Sequence, residues 1–142
     1  MRGVSLLKEK NEQWSWSDGW ILMSAYLVQS NSEPTLTDII GAADATNHAI
    51  PTTNELSQAF TKLVNSGVMK IENKSYKIRD EYLGRLEKAY KSKGGLFESA
   101  NKGQRWLNDS NLEIHKSLKI TITENDVTNA YKEYTSKISK KG

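Results

Sequence analysis

The sequence predicts a mainly α protein with one small β-hairpin, and three observations support this class. An apolar stripe at helical spacing runs from Leu56 to Val64 and is followed by Gly67 and two short alternating runs. Before it, residues 18–29 are apolar nearly all round, as in a helix buried on several sides. The 142 residues, 37% of them hydrophobic, suffice for one core and are too few for two ordinary domains.

The central helix has readable ends. Thr52 and Glu55 have the spacing of a capping box, in which each side chain accepts a hydrogen bond from the other residue's backbone N–H. Gly67 supplies the positive φ that closes a helix, and Val68 is then expected to pack back on Leu63 in a Schellman ending. This stretch therefore predicts a helix over 52–66.

Two helices are predicted before it. The first covers 18–29, with Ser17 as its cap, and the second begins at Thr35, with Asp38 in the third position. Pro51 disfavours helical dihedrals at the residue before it, so the second helix and the central one must be joined by a turn.

The run after Gly67 predicts a hairpin over 68–79, with its tip at Asn73 and Lys74 or a longer loop in that place. Because side chains alternate along a strand, apolar residues are expected to face the core and basic residues to face outward. The apolar set is Met69, Ile71, Tyr76 and Ile78, and the basic set is Lys70, Lys77 and Arg79.

The rest of the chain predicts a C-terminal extension of helix, strand and helix. Asp80 is expected to cap a fourth helix that ends before the glycine pair at 94–95. Residues 96–107 predict a further helix, with Phe97 among its candidate apolar contacts. The alternation over 118–122 is typical of a half-buried strand. A last helix is expected to start at Thr123 and Asp126, the spacing of another cap.

The order helix, helix, turn, helix, glycine and hairpin, with L-x-x-x-F-x-x-L-V-x-x-G-V-M and a hairpin aromatic at Tyr76, resembles the winged-helix members of the helix-turn-helix superfamily. DIIGAADATNHAIPTTNELSQAFTKLVNSGVM is similar to small, uncharacterised bacterial winged-helix proteins. The resemblance implies a winged helix-turn-helix core over 17–93, after an N-terminal arm over 1–16. Residues 94–142, the strand-helix extension, are expected to pack on the same core.

The charge distribution favours a polyanionic partner. Residues 1–50 carry three basic and six acidic side chains, whereas 51–95 carry nine and five, although a solvated lysine face gives the same count. The first hypothesis is a DNA-binding transcriptional regulator that reads duplex DNA with the 52–66 helix and contacts phosphates with the hairpin. Its candidate residues are Asn54, Gln58, Thr61, Lys62, Asn65, Lys70, Lys74 and Lys77.

The alternative is a winged helix used for protein–protein interaction or dimerisation, without DNA binding. Several aromatic residues lie outside the predicted three-helix core, and such residues are enriched at interfaces. They are Trp14, Trp16, Trp106, Tyr131 and Tyr134. The other interpretation of Trp14 and Trp16 is that they pack in the core. A homodimer through the C-terminal region is compatible with both functions.

An enzyme is not expected, because the chain has no Cys and no catalytic or phosphate-loop motif. No metal or cofactor is expected either, since His48 is interpreted as a turn residue and His115 is the only other histidine. No apolar run is long enough to span a bilayer, so the prediction is a cytoplasmic protein.

Overall fold

The computed structural model describes residues 14–115 and 118–141, with no account of the side chains at 139–141. In this part of the chain the fold is mainly α with one antiparallel hairpin, which confirms the predicted class. The helices are α1 (Trp16–Leu27), α2 (Leu36–Asn47), α3 (Thr53–Asn65), α4 (Asp80–Tyr90), α5 (Ser99–Asp109) and α6 (Glu124–Lys141). A 3-10 turn covers Leu96–Glu98, and the strands are β1 (Met69–Glu72) and β2 (Ser75–Ile78).

The first three helices each begin with a reciprocal capping box. Those of α2 and α3 use Thr35 and Thr52, as predicted. In α1 the cap is Ser15 and not Ser17: Ser15 N donates to Asp18 Oδ2 over 2.8 Å, and Asp18 N donates to Ser15 Oγ over 3.1 Å. Because Asp18 occupies the third helical position counted from Ser15, α1 starts two residues earlier than the sequence pattern predicted.

The end of α3 is the predicted Schellman motif. Val68 N donates to Leu63 O over 3.0 Å, and Gly67 N donates to Val64 O over 3.1 Å. Gly67 has φ +83°, which a side chain would disfavour. Val68 is fully buried beyond it, so the motif turns the chain from α3 into the hairpin.

The hairpin has the predicted tip and the predicted faces. Met69 pairs with Ile78 and Glu72 with Ser75, leaving a two-residue turn at Asn73 and Lys74. Both turn residues have positive φ, 49° and 67°, as a type I′ turn requires. Inward side chains are buried or half-buried, and the basic side chains of the opposite face are exposed.

The free edge of β2 is hydrogen-bonded without a third strand. Tyr76 N donates to Pro34 O over 2.7 Å. The Gln29 amide, just past α1, accepts from Ile78 N over 2.9 Å and donates to Tyr76 O over 3.1 Å. A side-chain amide and a single backbone carbonyl thus tie the hairpin to the segment between α1 and α2.

One core joins the three N-terminal helices, the hairpin and the C-terminal region. Phe60 lies at its centre and packs against the Tyr76 ring, with centroids 4.9 Å apart. Trp14 belongs to this core at 6% exposure, whereas Trp16 is 36% exposed and packs on Trp20. Core packing is therefore the correct interpretation of Trp14. The first 13 residues of the predicted N-terminal arm lie outside the described residues.

Helix α5 crosses α1 at a point where both helices carry glycine. A Cβ at Gly19 would overlap Gln104 N and lie 2.5 Å from Ala100 O. A Cβ at Gly103 would overlap Gly19 O and lie 2.7 Å from Met23 Cγ. The two backbones are therefore in direct contact, and α5 is part of the core.

Two local predictions near α4 and α5 are wrong. Asp80 does not cap α4; it is the first helical residue, and the cap position is held by Arg79 without a side-chain hydrogen bond. Phe97 is not an apolar core contact: it is 63% exposed on the 3-10 turn that precedes α5. Asp80 lies one position too far along the chain to cap α4, and the Phe97 ring packs on the His48 ring instead of entering the core.

Helix α6 begins at the predicted cap and lies on α2. Thr123 N donates to Asp126 Oδ2 over 2.9 Å, and Asp126 N donates to Thr123 Oγ1 over 3.1 Å. Further along, Tyr134 Oη donates to Asp44 Oδ2 over 2.9 Å. Burial and this hydrogen bond to a carboxylate raise the pKa of Tyr134. Among the described helices, α6 included, no helix has the length and apolar character needed to cross a membrane.

Candidate nucleic-acid interface

The N-terminal half of α3 presents two of the predicted DNA-reading side chains to solvent. Asn54 and Gln58 are exposed and lie one turn apart, with Gln58 Nε2 donating to Asn54 Oδ1 over 3.2 Å. Each amide retains further donor and acceptor capacity on the solvent side. These two positions therefore have the access that base-edge contacts require.

The adjacent stripe of α3 binds the chain's own C-terminal segment, residues 118–122. Ser57 Oγ donates to Ile122 O over 3.3 Å and accepts from Ile122 N over 2.8 Å. Thr61 Oγ1 donates to Ile120 O over 3.1 Å and accepts from Ile120 N over 2.9 Å. We call residues 118–122 the cover segment.

The same pattern continues at the C-terminal end of the helix. Asn65 Nδ2 donates to Leu118 O over 2.7 Å, and Asn65 Oδ1 accepts from Leu118 N over 3.1 Å. Three side chains of α3 thus bind both backbone groups of every second residue in the cover segment, which runs antiparallel to the helix.

Simple repeat lengths explain this match. Four residues of an α-helix advance about 6.0 Å, and two residues of an extended chain advance about 6.6–6.8 Å. Ser57, Thr61 and Asn65 recur every fourth residue, so their polar atoms keep step with alternate residues of an extended segment. The predicted strand at 118–122 is accordingly extended but belongs to no sheet, and α3 side chains take the place of a partner strand.

The side chains of the cover segment differ sharply in burial. Ile122 is 6% exposed and belongs to the core, Ile120 is half-buried, and Leu118 is 58% exposed. The predicted alternation is therefore present at Ile120 and Ile122 but not at Leu118, and the segment does not form the predicted strand. Packing of the segment rests on Ile122 and Ile120, and its register on the hydrogen bonds to α3.

Lys62 faces α1 and not the outer side of α3. Its ammonium group forms an ion pair with Asp18 Oδ2 and lies 5.7 Å from the centroid of the Trp14 ring. The Asp18 side chain is 2% exposed, so this pair lies at the edge of the core. Lys62, a predicted DNA-contacting residue, is therefore held by α1 and does not extend outward from α3 as a free-standing cation would.

The hairpin carries the remaining predicted cations. Lys70, Lys74 and Lys77 are all exposed, and so is Arg79, directly after β2. Lys70 lies across from Lys77 and pairs with Glu72 over 3.1 Å. The depression beside this face is also lined by acidic side chains, namely Glu33, Asp80 and Glu81, so its charge is mixed.

Acidic groups lie close to the start of α3. Thr53 Oγ1 donates to Glu124 Oε1 over 3.2 Å, and Ser17 Oγ donates to Glu55 Oε2 over 2.6 Å. Burial alone would raise the pKa of Glu55, but the hydrogen bonds from Ser17 and from the Thr52 backbone outweigh it and lower this pKa. Glu55 is therefore held in its ionised form at the N-terminal end of α3.

A second acidic group lies beside the hairpin. Asp126 and Glu133 of α6 line a groove together with Lys74 and Tyr76. Burial raises the pKa of Tyr76, and the nearby charge of Asp126 raises it further. Helix α6 thus brings negative charge to the hairpin side of the interface.

The structure gathers five of the eight predicted residues on accessible surface and binds three within the chain. Asn54, Gln58 and the three hairpin lysines are exposed, whereas Thr61 and Asn65 are bound to the cover segment and Lys62 is bound to Asp18. Ser57 was not among the predicted residues. A small polar residue every fourth position, beside the apolar stripe, was the signal that could have found it.

In the described part of the chain, no group of three or more His, Cys, Asp or Glu side chains is placed to hold a metal ion. His48 ends α2 with φ 52°, its N–H donates to Asp44 O over 2.7 Å, and its ring packs on Phe97.

Comparison with protein-family models, curated proteins and solved structures gave no significant match.

Proposed function

We propose that residues 17–93 form a winged-helix core that binds duplex DNA. Support for the fold comes from the order of three helices followed by a hairpin. Further support comes from the hydrogen bond that Tyr76 N of β2 donates to Pro34 O, which ties the hairpin to the segment between α1 and α2. In that arrangement α3 is the recognition helix and the hairpin is the wing.

The observation that carries the DNA proposal is the set of exposed polar and basic side chains on these two elements. Lys70, Lys74 and Lys77 extend from the hairpin and have the chemistry for backbone phosphates. Asn54 and Gln58 lie in the N-terminal half of α3, the part of a recognition helix that meets base edges, and their amides suit adenine. We propose that this DNA binding serves to control transcription.

Replacing Lys74 and Lys77 together by Ala tests the phosphate contacts. Binding should weaken alike on a selected duplex and on its scrambled version. The slope of log affinity against log salt should fall by about two, one for each lost contact. The matched control is Lys88→Ala, which removes an exposed lysine from α4, and we expect it to leave that slope unchanged.

Gln58→Ala tests base reading by the exposed half of α3. It should remove about 1–3 kcal/mol of preference at one base pair and leave the salt slope nearly unchanged. Affinity measured against salt on both duplexes separates these effects. If the double lysine variant kept the full slope, the hairpin would not lie on phosphate and the DNA proposal would fail.

A second candidate function, a protein-interaction or dimerisation module, has its own observation. Tyr131 and Ile138 of α6 are 45% and 51% exposed. Exposed aromatic and aliphatic side chains along one helix suit a homodimer through the C-terminal region. Sedimentation of the parent and of Tyr131→Ser over a range of concentrations tests this. A dimer that the substitution weakens supports it, and a monomer at all concentrations refutes it.

A further inference from the structure

The surface of α3 that a DNA duplex would approach is partly occupied by the chain itself. Thr61 and Asn65, two of the predicted base-reading residues, donate to and accept from the backbone of the cover segment. The same polar atoms cannot bind a base edge and the cover segment at once. Full use of α3 in the major groove therefore requires the segment to move.

We propose that the cover segment, together with α6, is an intramolecular competitor that duplex DNA displaces from α3. This inference rests on the proposed DNA-binding function and concerns how that function is regulated. The closed arrangement is the one described above, and in the open arrangement Ser57, Thr61 and Asn65 become available to DNA.

Charge complementarity supports competition with DNA in particular. The cover segment leads directly into α6, whose first turn carries Glu124 and Asp126. Glu124 accepts a hydrogen bond at the start of α3, and Asp126 lines the groove that also contains Lys74. These carboxylates thus lie beside the helix start and the wing, where phosphates would approach the same surface.

The contacts of the cover segment are suited to reversible release. Its hydrogen bonds to α3 are made by the half-buried hydroxyl groups of Ser57 and Thr61 and by the buried amide of Asn65. Water can replace each of them when the segment leaves. Of its three aliphatic side chains, only Ile122 is buried to the level of the core. Release also breaks the hydrogen bond between Tyr134 of α6 and Asp44 of α2. The packing of Phe60 and Leu63 in the core does not depend on that hydrogen bond and holds α3 in place.

Two substitutions in the cover segment form a matched pair. Ile122→Ala removes the buried anchor, and Leu118→Ala removes a side chain of the same size class that is 58% exposed. Neither changes a residue of α3 or of the hairpin. With a mixed-sequence duplex at low salt, Ile122→Ala should bind roughly tenfold more tightly than the parent. The reason is that the closed arrangement is less populated in the variant, so a larger fraction of the protein is ready to bind. Leu118→Ala should bind like the parent.

A second measurement on the unaltered protein covers the case in which Ile122→Ala loses its fold. Hydrogen exchange at the amides of Leu118, Ile120 and Ile122 is followed with and without the duplex, and the amides of α1 serve as the internal reference. Displacement predicts faster exchange at these three amides on binding, with α1 unchanged.

The outcomes separate the two proposals. If the parent binds duplex and the three amides stay protected, DNA binds without displacing the cover segment and the competitor is refuted, while the DNA-binding function stands. If neither the parent nor Ile122→Ala binds at low salt, both proposals are refuted. Binding by the variant alone, or binding by the parent with faster exchange, supports the competitor.

Discussion

Substituting Gly19 by Ala tests the contact that joins the C-terminal region to the core. The added methyl group would overlap Gln104 N and lie 2.5 Å from Ala100 O, and both are backbone atoms of α5. No side-chain rotation can relieve contacts with backbone. The two helices would have to separate by about 1 Å to restore ordinary van der Waals distances, which also weakens the packing of their neighbours.

The expected cost follows from two opposing terms. Overpacking a well-packed contact costs about 1–3 kcal/mol, and a contact between backbones belongs at the upper end of that range. Alanine also favours the helix by about 1 kcal/mol relative to glycine. The net loss in the free energy of unfolding is therefore about 2 kcal/mol. It corresponds to a fall in Tm of about 6–10 °C for a domain of this size.

Gly84→Ala is the matched control, since Gly84 is an exposed residue inside α4 and a Cβ there has no neighbour within 4 Å. It gains the same helix preference without the clash, so unfolding should require about 0.5–1 kcal/mol more free energy than in the parent. Thermal and urea unfolding of both variants measures the difference. Equal stabilisation by the two substitutions would refute the close backbone contact between α1 and α5.

Two further predictions concern buried or partly buried charge. Lys102 is 4% exposed and its ammonium donates to the carbonyls of Tyr90, Ser92 and Gly94 over 2.8, 3.0 and 2.9 Å. Lys102→Met should therefore lower the free energy of unfolding by about 2 kcal/mol and expose the loop after α4 to proteolysis, whereas the exposed control Lys88→Met should stay within about 0.5 kcal/mol of the parent. Because the pKa of Glu55 is lowered in the folded protein, its contribution is complete above its ordinary pKa and is lost as pH falls through the folded value. Glu55→Gln should then be less stable than the parent at pH 7 and should lose less stability on acidification. The measurement is the free energy of unfolding of both proteins from pH 7 into the acid range. A difference between the two that stays constant with pH would contradict this expectation.

The capping and turn features of this fold could be predicted from the sequence because their partners are close along the chain. The caps of α2, α3 and α6 link residues three apart, and the Schellman motif and the hairpin tip span only a few more. Such contacts depend on residue type and local dihedral preference, which a sequence states directly. The cap of α1 was misplaced because Ser15 and Ser17 both lie near the start of this helix, and local preference alone does not decide between them.

The candidate interface was only half predictable for the opposite reason. Helical periodicity correctly separated the buried side of α3 from its polar side, and alternation correctly assigned the outward lysines of the hairpin. Neither pattern could distinguish a polar residue that is exposed to solvent from one that contacts another segment of the chain. Thr61 and Asn65 are bound by residues more than 50 positions away, and Lys62 by a residue of α1.

The approximate positions of the helices and the hairpin, and the apolar side of each, could be predicted from the sequence. Tertiary structure alone decided what covers the polar side of α3, which cation faces inward, and why two glycines lie opposite each other in α1 and α5. Helix and turn formation are governed by interactions within a few residues. The docking of the cover segment and the crossing of α1 and α5 depend instead on shape and hydrogen-bond matching between distant segments, which appears only when the chain is folded.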